Sequence, residues 1–191
     1  GAFPGQVLNT TDAPVVVNGD ISSVNPGTVF QATVVLGADI TVNNVVLVNL
    51  DLNTHNITLT GKGVLNGTDR WVGVAGYIIG DGTINISVDV DQEFYLAGEN
   101  YYSGITNVNS GKFVSNGQNP SAKTINMFGV SDVNVGPLGK VTFTFDETDN
   151  NLSFLNIIRF NRTNIALNQL LAVNASTNNS LVTVLFPGVV L

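Results

Sequence analysis

Asparagine is the residue type in this chain whose spacing prescribes a reaction. Asn-x-Ser/Thr triplets begin at Asn9, Asn56, Asn66, Asn85, Asn151, Asn161, Asn174 and Asn178, and none has proline in the middle. Such a triplet offers its amide nitrogen to an oligosaccharyltransferase on the outer side of a membrane, and the acceptor must be exposed. A chain this rich in Asn, Ser and Thr would place roughly four triplets by chance. The number present is twice that, and they span the whole length. N-linked glycans are therefore the expected covalent modification, with no other cofactor.

Other chemistries are less well supplied. His55 is the sole histidine, so a Ser-His-Asp triad or a multi-histidine metal site would have to pass through it. It lies in Asn53-Thr54-His55-Asn56-Ile57-Thr58, which reads as a solvated turn. Asp89, Asp91 and Glu93 line one face of an expected strand and offer the oxygen donors that Ca²⁺ takes. A solvated strand face is the commoner meaning of such a pattern. Asp146-Glu147-Thr148-Asp149-Asn150 lacks the EF-hand spacing and reads as a polar hairpin loop. No acid pair is singled out for glycoside hydrolysis, Gly61-Lys62-Gly63 is short for a phosphate loop, and Trp71 stands alone. Lys62, Lys112, Lys123 and Lys140 with abundant Asn supply the parts of an isopeptide bond without a defining spacing. The expectation is a protein that is not an enzyme and holds no metal.

Composition sets what surrounds these residues. Hydrophobic residues make up 43% and charged residues 11%, against about 25% charged in an ordinary soluble domain. The surface must then be covered by Asn, Thr, Ser and Gly, by sugars, or by neighbouring copies. With a net charge of −7 and scattered Lys and Arg, no cluster exists to displace counterions from phosphates, so nucleic acid is not an expected partner. Apolar runs such as Leu181 to Leu191 fall short of the roughly 18–20 residues of a membrane-spanning helix. Cysteine is absent, which removes any disulfide framework. The start at Gly1 reads as a mature form released from a signal peptide. So few ionisable groups should also leave the fold little affected by acid.

The elements that must carry these residues read as β-strands. Runs of Val, Ile, Thr and Phe alternate with Asn, Asp and Gly punctuation. Strands are expected near 29–36, 39–42, 45–52, 56–60, 72–79, 83–90, 93–97, 112–115, 123–128, 140–145, 152–160, 164–173 and 181–186. Turns are expected at Asn18-Gly19-Asp20, Asn25-Pro26-Gly27, Gly61-Lys62-Gly63, Gly80-Asp81-Gly82 and Asn116-Gly117. Many short strands with frequent turns indicate an all-β sandwich, Ig-like or jelly-roll-like. A parallel β-helix is the competitor, because Ile40 to Ile86 could stack as coils with Asn ladders. No fixed period continues through the later half. Residues 1–18 read as an extended N-terminal arm and 19–191 as the head domain. Pro4 and Pro14 suit an edge or inserted strand.

A cysteine-free start, a strand-like arm, repeated sequons and a Val/Thr/Asn-rich β domain together resemble the archaeal thread subunits. These are surface-filament proteins of the Sulfolobales, similar in general design to bacterial type I pilins. The resemblance implies a sandwich that polymerises head to tail by donor-strand complementation, with identical subunits as partners and an N-glycan coat. Val7, Leu8, Val15 and Val17 would fill the groove of the next subunit. It also implies an extracellular, cell-surface location and a role in adhesion or biofilm formation, with other cells or surfaces as possible contacts. The alternatives are a viral capsid or spike β protein, and a secreted carbohydrate-binding or β-helix protein.

Overall fold

A computed structural model describes residues 13–62, 72–90, 92–96, 100–116, 128–144, 157–160, 170–174 and 183–185. Their period-2 patterning gives strands: β1 (Val15–Val17), β2 (Ile21–Ser22), β3 (Thr28–Leu36), β4 (Ile40–Asn43) and β5 (Val45–Asp51). There follow β6 (Ile57–Gly61), β7 (Gly73–Val74), β8 (Ile78–Ile79), β9 (Asp81–Val88) and β10 (Glu93–Leu96). The remaining strands are β11 (Ser103–Asn116), β12 (Asp132–Thr144), β13 (Ile157–Phe160), β14 (Leu170–Asn174) and β15 (Thr183–Leu185). No helix occurs among the described residues.

Every pairing between these strands is parallel, which overturns the expected antiparallel sandwich. One sheet runs β1, β3, β5, β7 and β10, with β8 beside β5; the other runs β2, β4, β6, β9, β11 and β12, and β13 pairs with β12. From β1 to β6 successive strands alternate between the two walls, so the chain there winds as stacked coils, while β7 and β8 share the first wall and β11 and β12 the second. The walls join through β10, whose Phe94 pairs with Phe113 of β11 while its Leu96 pairs with Val74 of β7.

The physical reason for the mistaken expectation is specific. Inward–outward alternation is the same in a half-buried antiparallel strand and in a coil wall. Asn- and Gly-rich breaks expected as turns are corners between the walls. Asn18-Gly19-Asp20 leads from β1 on one wall to β2 on the other, and Gly37 to Asp39 does the same between β3 and β4. A parallel pair needs a crossover, and between β3 and β5, or β4 and β6, that crossover is a strand of the opposite wall.

Inward columns build the core. Val42, Leu59, Ile86, Val108 and Val135 occupy successive rungs and are all buried. Facing them from the other wall are buried Val34, Leu36, Leu47, Leu50, Val74 and Ile78. Each such side chain contributes about 1.5–3 kcal/mol relative to exposure. Three rings continue the packing, with centroids 5.4 Å apart for Phe94–Phe113 and 4.5 Å for Phe113–Phe128.

Two corners show why the sequence has Asn and Gly where it does. Asn53 takes φ 53°, a left-handed conformation that Asn tolerates better than most side chains, and its Nδ2 donates to Leu36 O of the preceding coil at 3.2 Å. Gly104 has φ 106° and stacks directly on Gly82, where a Cβ would come 2.2 Å from the Gly82 carbonyl oxygen.

Candidate functional site

The second wall carries the chain's polar groups outward in register. Thr41, Thr58, Asn85, Asn107 and Asn134 occupy one rank across five successive coils. Asn134 Nδ2 donates to Asn107 Oδ1 at 3.0 Å, and Asn107 Nδ2 donates to Asn85 Oδ1 at 2.9 Å. A parallel rank lies two residues further along, with Asn43, Thr60 and Ser87 in register; β11 bulges here, so that Ser110 pairs with Ser87 and Asn109 joins the rank from the bulge. There Thr60 Oγ1 donates to Asn43 Oδ1 at 3.1 Å, and Asn109 Nδ2 to Ser87 Oγ at 3.3 Å. Neither rank contains a charged residue.

Corner side chains tie each coil to the next. Asp20 Oδ1 accepts from Thr41 N at 2.7 Å, Asp39 Oδ1 from Asn56 N at 2.8 Å, and Asn56 Oδ1 from Thr83 N at 2.9 Å. Asn56 Nδ2 also donates to Asp39 Oδ2 at 2.9 Å. The backbone N–H of Asn56, and next its side-chain amide, hold the Asp39 carboxyl below its ordinary range. His55 sits in the turn between β5 and β6, its Nδ1 3.6 Å from Asp39 Oδ1.

Inside the coil, one polar chain is fully satisfied. Ser131 Oγ donates to Phe128 O at 2.6 Å. A hydroxyl has one hydrogen, so Thr106 must donate to Ser131 at 2.8 Å and Tyr102 to Thr106 at 2.7 Å. Burial pushes the Tyr102 phenol up to about 12, against smaller lowering by Thr106 and Ser131.

The residues singled out from sequence are distributed as follows. Of the sequons, Asn56 is a corner residue and Asn85 a ladder residue, both partly exposed. Asn174 ends β14, and Asn9, Asn66, Asn151, Asn161 and Asn178 lie outside the described residues. Val15 and Val17 belong to β1 and pair in cis with Val34 and Leu36 of β3, and Val17 packs on the core. Val7 and Leu8 lie outside the described residues, as do Trp71, Lys123 and the 146–150 acidic segment.

The acidic face expected at Asp89, Asp91 and Glu93 is not formed. Asp89 lies in the turn after β9, Glu93 is in β10 with its Oε1 2.9 Å from Lys112 Nζ, and Asp91 is outside the described residues. Among the described residues, no group of three or more His, Cys, Asp or Glu is placed to hold a metal ion, and no helix is long and apolar enough to cross a membrane.

Sequence reasoning offered Asn stacking only in the competing β-helix reading of Ile40 to Ile86, and missed Asn107 and Asn134. The signal available was local: Ile84-Asn85-Ile86, Thr106-Asn107-Val108 and Val133-Asn134-Val135 each set one Asn between two inward residues. The chain matches no family model, no curated protein and no solved structure.

Proposed function

We propose that this chain is a structural subunit of an extracellular, N-glycosylated cell-surface filament, joined head to tail and serving adhesion or biofilm formation. The observation that supports this reading is the state of the terminal coils. Among the described residues, β1 and β2 pair only with β3 and β4, while β14 and β15 pair only with β12 and β13. Unpaired strand edges are templates for further strands. Because all strands are parallel, the two ends present opposite backbone rows, so the last coil of one copy can meet the first coil of the next. Such a heterologous contact does not close on itself and yields a linear polymer. The acceptor in this reading is an open coil edge, since the groove of a sandwich does not belong to this fold.

Negative-stain electron microscopy of protein from its source tests the reading. Thin filaments with a regular subunit repeat are expected. Monodisperse particles at every concentration, or closed shells, would reject it.

A further inference from the structure

The outward ranks of the second wall contain polar groups that the coil does not use. The Thr41 and Thr58 hydroxyls and the Asn85 amide nitrogen make no hydrogen bond to any described residue, although all three side chains are partly exposed. Asn107 gives one N–H to the ladder and accepts one at Oδ1. An Asn amide has two hydrogens and two lone pairs, so Asn107 keeps one donor and one acceptor for the solvent side. Consecutive rungs of a sheet are about 4.8 Å apart, and residues two apart on a strand are about 6.6 Å apart. Sheet geometry thus arrays these groups as a flat lattice of donor–acceptor sites.

The lattice is selective by charge. The chain has a net charge of −7, yet no ionisable side chain interrupts the ranks Thr41–Thr58–Asn85–Asn107–Asn134 and Asn43–Thr60–Ser87–Asn109. Asp20, Asp39 and Asp132 lie to one side of them. An anionic polymer would be repelled by that acidic flank, and although a cationic one would be drawn to it, the ranks themselves offer no charge to pair with either. A sugar hydroxyl both donates and accepts, as each lattice group does. The outer face of the other wall differs, with exposed Val16, Tyr77 and Ile79.

We propose that this face binds a linear neutral polysaccharide laid along the coil axis across Thr41, Thr58, Asn85 and Asn107. The proposal rests on the adhesion reading and names the class of its target. It also gives Asn85 a second meaning. A glycan on Asn85 Nδ2 would stand in the middle of the face, so occupancy of this sequon and polysaccharide binding exclude each other.

The test uses the full chain made without glycosylation, so that Asn85 is bare, and reads polysaccharide binding whether or not filaments form. Affinity gel electrophoresis is run with hydroxyethylcellulose as the neutral β-linked glucan and with polygalacturonate as the anionic control. Retardation by the neutral polymer alone is expected. Thr41→Val with Thr58→Val removes two unused hydroxyls while keeping shape and strand preference, and should weaken binding at least tenfold with the far-ultraviolet spectrum unchanged. Val16→Ser, at an exposed site on the other wall, should leave it unaltered. No retardation by the glucan, equal retardation by polygalacturonate, or full binding by the double variant would each overturn the proposal. So would self-association of the chain that the double variant abolishes in its place.

Discussion

Asn107 donates from Nδ2 to Asn85 Oδ1 over 2.9 Å, although the two are 22 residues apart in the chain. Asn134, 27 residues beyond Asn107, completes the same contact on the other side. The side chains thus repeat, outside the wall, the hydrogen bonding that the backbone makes within it.

The middle of that ladder should matter more than its end. Asn107→Ala removes two side-chain hydrogen bonds and Asn85→Ala removes one, at about 0.5–1.5 kcal/mol each. Urea unfolding should therefore place Asn107→Ala about 1 kcal/mol below Asn85→Ala. Equal values would mean that the ladder is not continuous.

Backbone stacking at the corner gives a sharper contrast. Gly104→Ala puts a Cβ 2.2 Å from Gly82 O at φ 106°, whereas a Cβ at Gly19 meets nothing within 4 Å. The first should lose about 2–4 kcal/mol, in the range of strain and overpacking. Gly19→Ala should stay within about 0.5 kcal/mol of the parent. Thermal midpoints of the two variants check this.

In the core, Phe113 lies between Phe94 and Phe128 and is 1% exposed. Phe113→Ala should cost about 3–5 kcal/mol, while Phe113→Leu should cost much less. Denaturant midpoints with unchanged slopes would show that the loss is one of stability.

Two groups set the expected response to pH, with opposite signs. Tyr102 is raised from 10.0 to about 12 in the fold, so its contribution is intact below 10.0 and is lost as pH climbs towards 12. Alkaline unfolding should coincide with tyrosinate absorbance in the parent, and Tyr102→Phe should remove that component. Asp39 is lowered from 3.8, so its contribution is present above 3.8 and disappears as pH falls through the lower folded value. The stability difference between the parent and Asp39→Asn should therefore hold from neutral pH down to about 3.8, shrink between there and the lower folded value, and change no further below it.

The strands themselves were legible, since β3, β5, β6 and β9 fall on the runs expected at 29–36, 45–52, 56–60 and 83–90. Their partners were not. Ile84 and Ile86 point inward in either architecture, so alternation carries no record of whether the neighbour runs parallel. Coil length hid the repeat as well: Asp39 and Asn56 are 17 residues apart, but Asn56 and Thr83 are 27 apart. The first half of β11 carries little strand signal, because Gly104, Asn107 and Asn109 are poor strand formers. Pairing with β9 and β12 on both sides holds them extended. The unused hydroxyls of Thr41 and Thr58 could be recognised only once the register was known, because a threonine in a strand has the same sequence signature whether or not its oxygen is engaged.

The parallel winding also dictates how the molecule would carry load. Hydrogen bonds between coils run along the coil axis, so tension applied from end to end pulls on them in line and opens them one rung at a time. A rung spacing is about 4.8 Å, whereas the 22 residues from Asn85 to Asn107 reach about 75 Å when drawn out. Each coil is thus a stored length, released at a force set by a single rung, and a thread of such units would yield and lengthen before it broke.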